Sequence, residues 1–123
     1  MRSADTNVLV RLITADDREQ YARVRGAGVL WVSHVVLLEL SWVLSSVYKY
    51  DEQKLSRAIA MLAAHEDVVL EDAIVVQAAL GIFEQRPALG FGDCLVLEVA
   101  RKEGLVLLTL DRALGGMQGA EAL

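Results

Sequence analysis

Residues 105 to 110, LVLLTL, are apolar at nearly every position, so no strict alternation marks one side for solvent. Gly104 precedes the run and Asp111 follows it. A strand with two apolar faces must be covered on both, and short runs of this kind belong to parallel sheets flanked by helices. Parallel neighbours cannot be joined by hairpins, so the rest of the chain has to supply crossover helices.

The remaining sequence supplies that alternation. Arg2 to Asp5 reads as a first short strand, with Thr6 capping the amphipathic helix NVLVRLIT, whose Val8, Leu9, Leu12 and Ile13 share one side. Asp16 to Arg25 reads as a second helix, and the glycines of RGAGVLWVS introduce a β-branched and aromatic strand, Val29 to Ser33. A long helix is expected from His34 to about Lys49, another from Asp51 to Ala64, and a strand at Val68 to Leu70. Asp72 caps a helix reaching about Arg86, which ends at Pro87; the loop PALGFG then leads into a helix from about Asp93 to Lys102. The final segment, GGMQGAEAL, makes a poor strand. The pattern predicts an α/β fold in one domain spanning residues 1–123, a length suited to one compact core.

One membrane reading requires an answer, because residues 26–48 are long enough to span a bilayer. Glu39 would stand near the middle of such a span at a cost of about 2.5 to 3.5 kcal/mol. His34 and four serines in the stretch would also need partners. A strand followed by a buried helix explains the stretch better. The first residues, MRSADTNVLVRLITADD, hold no apolar core of signal-peptide length, and the single cysteine, Cys94, excludes an intramolecular disulfide framework and a four-cysteine zinc site. A reducing, cytoplasmic setting is expected.

Glu39 raises the question of function. It is the one fully charged residue between Arg25 and Lys49, and a carboxylate taken out of water needs a proton, a cationic partner or a metal. Ligands of open parallel sheets bind beyond the carboxyl ends of the strands. Asp5 ends the first predicted strand, Asp111 ends LVLLTL, Asp93 begins the helix after the glycine loop, and Glu39 lies on the second turn of the helix leaving VLWVS. Singly these acids serve as helix caps, a turn residue or an ion-pair partner. Meeting at one edge they would repel one another unless cations were bound. A donor set of oxygens alone, without histidine or cysteine, suits Mg²⁺ or Mn²⁺ rather than zinc. Two such ions about 3.5 to 4 Å apart can activate a water and stabilise a leaving oxygen in phosphodiester cleavage.

The residues Asp5-Thr6-Asn7, Glu39, Phe91-Gly92-Asp93 and Thr109-Leu110-Asp111 resemble the PIN-domain ribonucleases. The short chain and its DTNVLVRLITADD opening are similar to VapC-type toxins of bacterial toxin–antitoxin pairs. The resemblance implies a three-layer sandwich with a central, mainly parallel sheet of four or five strands flanked by helices. It implies Mg²⁺- or Mn²⁺-dependent hydrolysis of RNA leaving a 3′-hydroxyl and a 5′-phosphate, a cognate antitoxin and a homodimer. By position it makes Asp5, Glu39, Asp93 and Asp111 the acidic site, with Asp5, Asp93 and Asp111 holding metal and Asn7 and Thr109 orienting them. Gly90 stands where some members carry a further acid, so a fifth ligand is not expected, and Leu110 replaces a more usual Phe.

The net charge of −5 is unlike that of most nucleic-acid binders, whose affinity comes largely from Lys and Arg. Two divalent ions would bring it to about −1 and invert the local field. Arg11, Arg86 and Arg112 are candidate phosphate contacts. A non-catalytic RNA- or protein-binding module and a small metal-dependent phosphatase are the alternatives. His34, His65, Cys94, Trp31 and Trp42 are read as structural or solvated residues, and Asp72 as a helix cap that could serve as a reserve ligand.

Overall fold

The computed structural model describes all residues, 1–123, and the chain divides into two compact units, Met1–Ala73 and Ile74–Leu123. The alternation of strands and helices is present throughout, giving the expected α/β class.

In the first unit, β1 (Arg2–Ser3), β2 (Leu30–Val32) and β3 (Val68–Leu70) form a parallel sheet in that order. Its register sets Arg2 beside Leu30 and Leu30 beside Val68. Helices α1 (Thr6–Thr14) and α2 (Arg18–Arg25) make the first crossover, and α3 (His34–Ser46) and α4 (Glu52–Ala64) the second. Each of the four starts on a residue whose side-chain oxygen accepts a backbone N–H: Asp5 from Val8, Asp17 from Gln20, Ser33 from Val36 and Asp51 from Lys54. The first cap is therefore Asp5 and not the expected Thr6, which is buried in the first turn. The β2 strand and α3 divide the long apolar stretch between them, and no helix is long and apolar enough to cross a membrane.

Helix α3 decides which of its uniformly apolar sides is internal. Leu37, Leu40, Ser41 and Leu44, spaced by three and four residues, form its buried stripe. Val35, Glu39 and Trp42 fall on the opposite stripe and are exposed. Glu39 is thus not the buried carboxylate expected from its apolar neighbours. Trp42, 64 % exposed, is not a core residue either. His65, expected to be solvated, is half-buried, with Nδ1 accepting from the Asp67 amide and Nε2 3.0 Å from Arg25.

In the second unit, α5 (Ala73–Gln85) ends before a single 3₁₀ turn at Pro87–Leu89, and α6 (Phe91–Lys102) follows. Phe83 and Phe91 meet edge to face, with ring centroids 6.1 Å apart, beside the buried Cys94, Leu95 and Leu97. Strand β4 (Leu107–Thr109) pairs in parallel with β5 (Ala120–Ala122) across the short helix α7 (Arg112–Gly115). The strands thus form one sheet of three and one of two.

LVLLTL is not covered on both faces: Leu105, Val106, Leu108 and Leu110 are exposed, and β4 has only β5 as a strand neighbour. The β5 strand itself is the segment read as a poor strand. Its pairing depends on Gly115, where an added Cβ would come within 2.6 Å of the Ala122 Cβ. Two small residues let α7 lie against β5, a tertiary condition that strand propensity does not register.

Candidate active site

Asp5 and Glu39 belong to the first unit and Asp93 and Asp111 to the second. Asp5 is exposed at the N-terminus of α1, with Oδ1 accepting from the Val8 amide at 3.1 Å and Oδ2 outside that bond. The Val8 amide orients this carboxylate at the positive end of the helix dipole. Asn7 is exposed two residues later and lines an open cavity together with Asp5. Glu39 is exposed on α3, in the second turn as expected.

Asp111 caps α7 in the same manner, its Oδ1 accepting from the Leu114 amide at 2.9 Å. Its own backbone N–H donates to Thr109 Oγ1 at 3.0 Å, so Thr109 fixes the turn that carries Asp111. Asp93 lies in the first turn of α6, where the N-cap is Gly90 and provides no side-chain bond. Gly90 has φ +81° and ψ 144°, a conformation that glycine adopts readily and an L-carboxylate side chain would strain. An acid at that position would need a different backbone.

Asp93 and Asp111 are electrostatically coupled. Partial desolvation raises the Asp93 carboxyl above its ordinary value, and the nearby Asp111 charge raises it further. Asp93 is exposed as a residue, so the desolvation is partial. Within neither unit do three or more His, Cys, Asp or Glu side chains cluster as a ready metal cage. A pair of carboxylates still fits a hard divalent ion, because Mg²⁺ retains several waters and takes one or two carboxylates. All the donors are oxygens, and a cation would relieve the repulsion that raises Asp93.

Neighbouring reactive groups are accounted for by structure. Cys94 is fully buried and its thiol is pushed up to about 11, chiefly by desolvation and then by Asp93, so it is no nucleophile near neutrality. His34 opens α3; its backbone N–H donates to Glu71 Oε1 at 2.9 Å, and its Nε2 stands 3.9 Å from Glu71 Oε2. Glu71 was not singled out in the sequence, although its position just past VVL places it at a strand's carboxyl end. Asp72 directly precedes α5.

No curated protein matches the chain. Among solved structures the chain is similar to VapC20 of Mycobacterium tuberculosis, described as a sarcin–ricin loop cleaving toxin. The two share 20% identity over 94% of this chain and 93% of that one, with a TM-score of 0.44. It is also similar to a chain of a toxin–antitoxin complex from Klebsiella pneumoniae, at 18% identity over 98% of this chain and 95% of that one, with a TM-score of 0.40. The PIN domain family model matches residues 4–118, nearly the whole sequence. With parallel strands and helices in the α/β class and a family model matching residues 4–118, the chain belongs to the PIN domain family.

Proposed function

We propose that this chain is a metal-dependent endoribonuclease that acts as the toxin of a toxin–antitoxin pair. The observation that carries the reading is the coupled Asp93–Asp111 pair in a chain that belongs to the PIN family over residues 4–118. The carboxylates assigned to the reaction are Asp5, Glu39, Asp93 and Asp111. Asp5, Asp93 and Asp111 are the metal ligands, and Glu39 is an acidic group supporting them.

When bound, Mg²⁺ or Mn²⁺ would supply an acidified water and neutralise charge at the phosphodiester. Asp5 contributes Oδ2 while Oδ1 stays on the Val8 amide, so ligation need not break the cap. Thr109 holds the Asp111 turn, and Asn7 stands beside Asp5 to orient it or its substrate. With its thiol protonated, Cys94, the neighbour of Asp93 in the chain, does not compete with water as nucleophile.

The toxin role accords with the descriptions of the two similar solved structures, one a sarcin–ricin loop cleaving toxin and the other a toxin–antitoxin complex. An antitoxin and a second copy of the chain are the assigned protein partners. Exposed apolar side chains, Val35 and Trp42 on α3 and Leu105, Val106 and Leu108 around β4, provide surface that such partners would cover. The site of action is assigned to the cytoplasm, where the RNA substrate resides.

The test is incubation of purified protein with a mixed pool of structured RNA in EDTA, Mg²⁺ or Mn²⁺, with Asp93→Asn prepared identically. Cutting that needs metal and is lost in the variant is the expected result. Cutting in EDTA, or equal cutting by the variant, would overturn the assignment. Release of p-nitrophenol from p-nitrophenyl phosphate without RNA cleavage would replace it with a phosphatase.

A further inference from the structure

An open cavity of about 310 Å³ lies against α1 and α2, lined by Asp5, Asn7, Arg11, Gln20 and Arg23, with Val8 and Val24 as its apolar wall. Its volume is at the lower end of the range for small-ligand sites, about 300 to 1,000 Å³. Two cations, each paired with an acid outside the lining, and two side-chain amides line it beside one carboxylate, Asp5, and a short apolar wall, so it offers donors for a phosphate, polar groups for base or sugar edges and apolar contact for a ring.

Arg11 is the best-held of these groups. Its Nε donates to Gln20 Oε1, and its Nη1 donates to Asp16 Oδ1 at 3.2 Å and to Tyr48 Oη at 3.2 Å. The Arg11 side chain is 28 % exposed. These bonds engage Nε and Nη1, one donor of each two-donor edge of the guanidinium, and leave Nη2 outside them, so a fixed, charged donor with little rotamer freedom left to lose is presented at the cavity. Such preorganisation suits a single charge-assisted bond from Nη2 to a phosphate oxygen. Arg23 is different: its side chain is 71 % exposed and its 3.5 Å pair with Glu19 is a surface contact worth little, so it can turn toward an incoming anion.

We infer that this cavity is a subsite for the phosphodiester backbone of single-stranded RNA beside the cleavage site, with Arg11 as its fixed phosphate donor and Arg23 as its mobile one. The inference rests on the ribonuclease reading for the identity of the strand. Asp5 shares the cavity wall, so a phosphate seated on Arg11 would leave the next part of the chain close to a carboxylate assigned to metal. In EDTA, where no metal offsets the net charge of −5, such a local cationic contact is what would hold RNA here. Arg11 and Arg23 are positioning residues in this scheme and take no part in bond breaking.

The experiment is fluorescence anisotropy of a labelled single-stranded RNA decamer in EDTA, which prevents metal-dependent cutting, over a series of salt concentrations. Arg23→Glu, at an exposed position that should not disturb folding, is compared with Arg11→Lys, Arg11→Met and a control reversal at the exposed Arg57 on α4. Arg23→Glu and Arg11→Met are expected to bind about tenfold more weakly, as loss of a charged hydrogen bond implies. Each should also reduce the slope of log affinity against log salt by about 0.7, the value for one lost phosphate contact on a single strand. Arg11→Lys should keep the slope while losing affinity, and Arg57→Glu should change neither.

Unchanged slope and affinity in Arg23→Glu, an Arg57→Glu effect of equal size, or no RNA binding by the parent protein would overturn the subsite. Metal-dependent cutting alongside unchanged slopes would overturn the subsite alone and leave the nuclease. Binding that behaves as expected, without cutting in any metal, would overturn the nuclease and leave an RNA-binding cavity.

Discussion

Asp5 is assigned two tasks, and a pair of substitutions separates them. Asparagine caps helices about as well as aspartate, so Asp5→Asn keeps the bond to the Val8 amide and removes only the charge. The charge lost from the N-terminus of the nine-residue α1 is worth about 0.3 to 1 kcal/mol through the helix dipole. Asp5→Ala loses that term together with the cap, typically about 1 kcal/mol more. The alanine variant should therefore be less stable than the asparagine variant by about 1 kcal/mol, equivalent to about 4 °C in melting temperature for a chain of this size. Both should fail to cleave RNA in Mg²⁺. Urea unfolding at neutral pH, monitored by circular dichroism, measures the first difference, and the RNA assay measures the second. Equal stability of the two variants would show that the cap does not support α1. Cleavage by a well-folded Asp5→Asn protein would remove Asp5 from the metal ligands.

Asp93 holds its proton more tightly in the folded chain than its ordinary value of 3.8. Just above that value the native state carries more protons than the unfolded state, so stability in EDTA should fall as pH rises through the interval up to the raised value. Asp93→Asn should remove that part of the fall, and Asp111→Asn should reduce it by taking away the repelling charge; carboxyl titration by NMR gives the same answer without unfolding. With its thiol pushed up to about 11 and no exposed surface, Cys94 should resist iodoacetamide at pH 7.5 in the native protein and react once urea is added. Gly90→Ala should destabilise the chain by about 1 to 3 kcal/mol in the same urea assay because of its φ of +81° and ψ of 144°. Restored stability in a Gly90→Asp protein on adding Mg²⁺ would instead show that a fifth carboxylate can enter the site.

The sequence by itself determined what short-range chemistry controls. Cap residues, helix formers and β-branched runs placed β3 at Val68–Leu70 and located α1 to α4 to within a few residues, because a cap bond spans only three positions. The order of the acidic motifs was also legible, and with it the PIN family that the model match establishes. Asp93 was correctly placed near a helix start, although α6 begins earlier, at Phe91, because Gly90 can take a turn open to few other residues.

Only the tertiary structure decided which apolar surfaces are covered. HVVLLELSWVL is hydrophobic around almost the whole of α3, so nothing local distinguished the buried Leu37–Leu44 stripe from the exposed one bearing Glu39. LVLLTL has the composition of a covered central strand, yet Leu108 is 58 % exposed on the face it shares with the exposed Val106 and Leu110. The β5 strand exists through its ladder with β4 and the Gly115–Ala122 approach rather than through its own propensity. The coupling of Asp93 to Asp111, 18 residues apart, and the junction of Arg11 with Tyr48, 37 apart, are likewise products of chain return. Burial and long-range charge coupling depend on which distant segments arrive beside a residue, whereas periodicity and capping depend only on its neighbours in the chain.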